Sequence, residues 1–199
     1  WLTCELFNPL QYGADLIIES MTKYVSAARC IGGMMAGKTE LVKRALQWIK
    51  VYGLYINPDQ CNIYEMGLET LSERMRSSGD ITRRIAEFLE QKESVNRVLF
   101  PLLESHPTYS VNKNYLELGP SVLLFHINQK FKTRNQMMKF FSSSGLVAET
   151  SYGSPYSKLD PYSKSGKHNI HEFPKPDPSK APGTVGLWVR LAVGYESSY

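Results

Sequence analysis

The chain has 199 residues, 42% of them hydrophobic and 21% charged, with a formal net charge of +4 at pH 7 and an isoelectric point near 8.9. This is enough apolar content for one domain, or one and a half, and its lysines and arginines are interleaved with acidic residues instead of forming the stripe a nucleic-acid binder needs. Three cysteines at irregular spacing, Cys4, Cys30 and Cys61, suggest neither a disulfide framework nor a zinc site, and no apolar run has the length of a membrane span. The expectation is a cytoplasmic, metal-free protein with no membrane or nucleic-acid partner. The chain opens on Trp1-Leu2-Thr3, without an initiator methionine or a charged and then apolar leader, and is expected to be a piece of something longer.

Residues 14–19 are a short apolar run suited to a buried strand, and residues 31–36 are a second, glycine-bearing one that can share its sheet. Thr39 is expected to cap a helix in which Leu41, Ala45, Trp48, Ile49 and Tyr52 recur at helical spacing until Gly53 stops the pattern. Pro58 opens another helical stretch with Met66, Leu68, Leu71 and Met75 on its apolar side. After Ser78-Gly79 a further helix is expected to present Ile81, Ile85, Phe88 and Leu89. Strands are expected over 95–100, 121–127, 146–150 and 184–193, with a helix over 135–141. Between 163 and 183 the prolines Pro174, Pro176, Pro178 and Pro182 bar regular structure, so this stretch reads as an exposed insertion.

Several segments could carry chemistry. The run Gly13-Ala14-Asp15-Leu16-Ile17-Ile18-Glu19 leads into Ser20-Met21-Thr22-Lys23-Tyr24. A strand ending in small hydroxyl residues and one lysine can deliver the amine to the floor of a pocket while the hydroxyls hold a phosphate. A solvated surface lysine is the plain alternative. Gly32-Gly33-Met34-Met35-Ala36-Gly37-Lys38-Thr39 satisfies the Walker A spacing of a P-loop nucleotide hydrolase. No apolar strand ending in a magnesium-binding aspartate accompanies it, and a strand turning into a helix through Gly37 is the preferred reading.

His168 and His171, beside Glu172, have a spacing that could bind metal on a helix, but the surrounding prolines and glycine favour a solvated loop. His106 and His126 have no sequence neighbours that suggest a relay. Arg190 lies inside the apolar run of residues 185–194, where an unpaired guanidinium is costly to bury, so an anion should meet it. A substrate carboxylate and a structural partner such as Glu196 fit equally well. Ser151, in Thr150-Ser151-Tyr152-Gly153-Ser154-Pro155, follows an expected strand; an ordinary turn is the simplest account of it.

Taken together and in order, these segments resemble the Cys/Met-metabolism pyridoxal-phosphate enzymes: the cystathionine γ-synthases, β-lyases and γ-lyases and the methionine γ-lyases. The family pattern N-P-L-x-x-G-A-D, S-x-T-K-Y and a glycine pair is met by Asn8-Pro9-Leu10-Gln11-Tyr12-Gly13-Ala14-Asp15, Ser20-Met21-Thr22-Lys23-Tyr24 and Gly32-Gly33. Its R-G-L-x-T-L-x-x-R helix resembles Met66-Gly67-Leu68-Glu69-Thr70-Leu71-Ser72-Glu73-Arg74. Its S-L-G loop resembles Ser151-Tyr152-Gly153, and its R-L-S-x-G-x-E strand resembles Arg190-Leu191-Ala192-Val193-Gly194-Tyr195-Glu196. Two departures stand out. Ala27-Ala28-Arg29-Cys30 replaces a G-H-S-D stretch, and Tyr156 stands where several members carry glutamate.

The resemblance implies an α/β fold of the fold-type-I pyridoxal-phosphate class, like aspartate aminotransferase, with residues 1–57 ending the large cofactor domain. Residues 58–199 would form the small C-terminal domain, with an inter-domain helix at its start. It implies that Lys23 is the catalytic lysine that links to the cofactor aldehyde and shuttles protons, and that Ser20 and Thr22 bind the cofactor phosphate. Arg190 and Ser151 would bind the substrate carboxylate. The implied reaction is β- or γ-elimination or replacement at a sulfur amino acid, with a cystathionine lyase foremost and the synthase close behind. The implied assembly is a homotetramer, a dimer of dimers. The family aspartate that pairs with the pyridine nitrogen would fall before Trp1, so these residues alone are expected to be inactive. A degenerate paralogue that keeps the fold as an interaction module is the non-enzyme alternative.

Overall fold

The computed structural model describes residues 2–128, 134–162 and 187–195. After a four-residue helix α1 (Thr3–Leu6) and a 3-10 turn (Pro9–Tyr12), the chain enters strand β1 (Leu16–Ser20), turns through residues 21–32 and returns as β2 (Gly33–Gly37). The two strands pair antiparallel, with Leu16 opposite Gly37 and Ser20 opposite Gly33, so the two apolar runs do share a sheet. Helix α2 (Thr39–Tyr52) follows at once and ends at Gly53, whose φ of 66° lets its amide reach back to the Ile49 carbonyl. Thr39 is the first helical residue instead of the expected cap. Lys38 holds the cap position and makes no side-chain cap bond.

Helix α3 (Pro58–Glu69) begins with a reciprocal capping box. The Asn57 side chain accepts from the Gln60 amide at 2.8 Å, and the Gln60 side chain accepts from the Asn57 amide at 3.1 Å. The break that follows falls at Thr70, and α4 (Leu71–Glu90) then runs unbroken through Ser78-Gly79. The expectation of a boundary at Ser78-Gly79 is therefore corrected. A Cβ on Gly79 would lie 2.7 Å from the Gly119 carbonyl oxygen, so this glycine admits a neighbouring segment instead of ending a helix. The Ser78 hydroxyl donates to the Arg74 carbonyl within the same helix. Of the four residues assigned to one apolar side, Leu71 and Met75 are buried but Met66 and Leu68 are exposed; Tyr64 and Gly67 are the residues α3 buries. Phe88 is exposed as well.

The second half is built on a five-stranded sheet in the order β3-β4-β7-β6-β5, comprising β3 (Val95–Leu99), β4 (Val122–Ile127), β5 (Val147–Ala148), β6 (Lys158–Tyr162) and β7 (Leu187–Ala192). Short α5 (Tyr109–Asn112) and α6 (Arg134–Ser142) connect its members. The expected strand over 146–150 shrinks to two residues. β6 was not foreseen, because Pro161 inside it reads as a strand breaker. Helix α4 covers one face, and Ala86, Val98, Phe100, Leu123, Phe141, Leu159 and Val189 form the core there. Burying each large member contributes about 1.5–3 kcal/mol. Residues 163–183, His168, His171 and Glu196 lie outside the described residues.

Candidate active site

The turn that carries Lys23 is closed by its own side chains. The Thr22 hydroxyl accepts from the Gly32 amide at 2.9 Å and donates to the Gly32 carbonyl at 3.2 Å, which joins the two ends of the turn. The buried Ser26 hydroxyl donates towards the Thr22 and Cys30 carbonyls and accepts from the Cys30 amide. Ala27 and Ala28, in the remodelled stretch, take left-handed φ values of 55° and 60°. Each such residue costs about 1–2 kcal/mol, so the surrounding hydrogen bonds hold the backbone in place. One of them runs from the Ala28 amide to the Lys23 carbonyl at 2.9 Å.

The Lys23 side chain reaches across the fold. Its Nζ donates to the Ser151 hydroxyl at 2.8 Å, a contact between residues 128 apart in sequence. The same amine lies 5.4 Å from the centre of the Tyr152 ring, within cation–π range. Ser151 and Gly153 adopt φ of 90° and 81°. A Cβ at Gly153 would lie 2.5 Å from the Lys23 carbonyl carbon and 2.7 Å from the Tyr24 amide nitrogen. The loop therefore sits directly on the lysine backbone, and only glycine fits there.

Tyr24 and Tyr152 wall this space, with ring centres 5.3 Å apart. The buried Tyr24 hydroxyl is 2.8 Å from the Ser121 hydroxyl. Burial raises the Tyr24 phenol well above its usual range, although the Ser121 bond opposes the shift. Burial also raises Tyr152, against the pull of the nearby Arg190 charge. Arg190 acts electrostatically on both phenols.

Arg190 meets its anion in the next strand. It stands opposite Asp160 in the β6–β7 register, and its Nη2 donates to Asp160 Oδ2 at 3.0 Å, with side-chain exposures of 11% and 19%. Asp160 is thus a structural partner of Arg190, and Glu196, the partner suggested by the sequence, lies outside the described residues. Asp160 was missed because the strand that carries it was missed.

The other candidates separate. Ser20 ends β1 and is exposed, two residues before Thr22. Residues 33–37 of the Walker-like segment are strand β2 itself, with their backbone committed to β1, and Lys38 forms an exposed ion pair with Asp15 at 2.5 Å. No phosphate-cradling loop exists there, which removes the P-loop hydrolase reading. His126 is buried, bonds the Asn96 side chain at 3.0 Å and packs on Trp188, while His106 bonds Thr108. Among the described residues no cluster of three potential metal ligands occurs, and no helix is long and apolar enough to cross a membrane.

The chain is similar to known proteins. Cystathionine beta-lyase MetC of Bacillus subtilis is 30% identical over 199 residues, covering 98% of this chain and 49% of that protein. Cystathionine gamma-lyase of Saccharomyces cerevisiae is 31% identical over 205 residues, covering 100% of this chain and 50% of its own. The crystal structure of cystathionine gamma synthase from Xanthomonas oryzae pv. oryzae superposes with a TM-score of 0.78 at 26% identity, over 98% of this chain and 50% of that one. The chain thus spans about half the length of these relatives. The family model for Cys/Met metabolism PLP-dependent enzymes matches residues 1–198, and the chain belongs to that family.

Proposed function

We propose that this chain contributes the lysine-bearing half of an active site that eliminates or replaces the sulfur substituent of an amino acid, with cystathionine cleavage as the foremost reaction and the synthase reaction second. The observation that carries this reading is the Lys23 amine held 2.8 Å from Ser151 while Gly153 rests on the lysine backbone. The residues present fit pyridoxal phosphate. A partly buried primary amine projects from a braced turn beside aromatic walls, and the Arg190 charge acts on those same phenols. When bound, the cofactor supplies an aldehyde that captures amines covalently and a ring that accepts the electron pair of a bond breaking at the substrate Cα.

The chain's own residues supply the remaining steps. Lys23 would hold the cofactor, and its free amine would take a proton from the substrate Cα and return it nearer the departing sulfur. Ser151 fixes the direction of that amine. Arg190 binds the substrate carboxylate, and Asp160 orients the guanidinium from the neighbouring strand. Tyr24 and Tyr152 keep water away from the amine. Ser20 and Thr22 bind the phosphate; Thr22 does so by turning its hydroxyl proton away from the Gly32 carbonyl.

Residues 1–57 are assigned to the cofactor domain and 58–199 to the small domain. Turnover, in a cytoplasmic homotetramer, is proposed for the assembled enzyme and not for these 199 residues alone. The test is borohydride reduction in the presence of pyridoxal phosphate, followed by peptide mapping. Label at Lys23, absent in Lys23→Ala, is the expected result; label spread over surface lysines sinks the proposal and favours a degenerate paralogue. With cystathionine as substrate, a three-carbon 2-oxo acid product identifies β-cleavage and a four-carbon product γ-cleavage.

A further inference from the structure

We infer that Arg74 is a positioning residue for Lys23, acting through the main-chain carbonyls of Tyr24 and Val25; the inference rests on the reading of Lys23 given above. The guanidinium is buried at 8% exposure. It donates from Nη1 to the Tyr24 carbonyl at 2.7 Å, and from Nη2 to the Gly67 carbonyl at 2.6 Å and the Val25 carbonyl at 3.5 Å. Its Nε donates to the Thr70 hydroxyl at 3.0 Å, and its flat face lies 5.3 Å from the centre of the Tyr195 ring. A planar fork with fixed donors can span three carbonyls from two chain segments, which an ammonium cannot do.

The placement of these bonds gives them a role beyond packing. Tyr24 directly follows Lys23, so holding its carbonyl fixes the Tyr24–Val25 peptide plane, the first one beyond the lysine's own, and limits how the Lys23 backbone can turn. Gly153 presses on the Lys23 carbonyl from another segment, so the lysine backbone is held between the Ser151–Gly153 loop and the Arg74 fork. Gly67 makes the grip possible: a Cβ there would lie 1.8 Å from the Val25 carbonyl oxygen, so α3 can approach the turn this closely only without a side chain. Gly67 and Arg74, seven positions apart, flank the α3–α4 junction at Thr70. That junction is shaped to present the guanidinium to the turn.

The test uses the intact protein stripped of bound cofactor and treated with trace acetic anhydride. Acetylation of Lys23 is compared by peptide mapping with that of Lys43 and Lys50 on exposed positions of α2. In Arg74→Gln the relative labelling of Lys23 should rise about fivefold, as expected when one charged hydrogen-bond network is lost. Borohydride capture of pyridoxal phosphate at Lys23 should fall about tenfold, because a displaced amine misses its reaction geometry. Arg74→Lys keeps the charge but cannot span both carbonyls, and should recover part of each effect. It also decides the matter if Arg74→Gln fails to fold.

Arg83→Gln, at an exposed ion pair on the same helix, should change neither reading. Unchanged Lys23 labelling in the Arg74 variants, with only a lowered melting temperature, overturns the inference and leaves Arg74 a packing residue. Raised labelling in a protein whose wild type captures no cofactor upholds the positioning role and refutes the pyridoxal-phosphate reading instead.

Discussion

The turn carrying Lys23 and helix α2 lie within the same first 57 residues, joined through β2, yet they are held in opposite ways. The turn draws on residues from distant segments, among them Arg74, Ser121 and the Ser151–Gly153 loop. Helix α2 buries none of its residues, and Trp48, Val51 and Tyr52 on it are more than half exposed. Both have the local signals expected of them. What differs is the number of tertiary partners that fix each one, and that difference sets how much a single substitution costs.

Gly153→Ala should have the largest effect. The methyl group would meet the Lys23 backbone, and the residue would keep a left-handed φ, so a loss of about 3 kcal/mol is expected together with loss of cofactor capture at Lys23. A thermal melt paired with borohydride mapping reads both; wild-type capture in this variant would break the contrast between the two regions.

Alkaline pH tests the same region through Tyr24. Its folded-state value is raised, so below about pH 10 the phenol is neutral in both states and its full contribution is present. Above that pH the unfolded chain ionises first, and stability should fall by about 1.4 kcal/mol per pH unit from this group until the folded phenol also titrates. Denaturant melts between pH 9 and pH 11, compared with Tyr24→Phe, should show a shallower slope in the variant; equal slopes would remove the buried phenol as the cause.

A matched glycine in the other region sharpens the point. Gly53 also has a left-handed φ, of 66°, but a Cβ there meets nothing within 4 Å. Gly53→Ala should therefore cost only about 1 kcal/mol, the conformational part alone. Trp48→Ala should have the smallest effect, about 0.5 kcal/mol or less, because that ring is 61% exposed and stacks mainly on Tyr52. A substantially larger loss in urea titration would mean that α2 has a tertiary anchor of its own.

Periodicity and caps made several elements legible from the residue order alone. Helix α2 appears between Thr39 and Gly53 as its spacing requires; β1 and β2 overlap the expected runs but begin two residues later, and neither buries a residue, against the expectation of a buried strand. Ordered motifs likewise marked Lys23, Ser151 and Arg190. Asp160 was not legible because β6 contains Pro161, and a strand with a missing donor is recognisable only beside its neighbour β7. Gly79 misled for a related reason: a glycine looks the same in sequence whether it ends a helix or admits a packed segment.

The sequence by itself determined where the chain can coil or extend, and which amine and which guanidinium stand as candidates for chemistry, because those depend on side-chain type and near neighbours. Tertiary structure alone decided that Lys23 meets Ser151, that Arg190 meets Asp160 and that Arg74 grips the turn. Those encounters depend on loop closures tens of residues long and on glycines whose missing Cβ atoms let separate backbones touch.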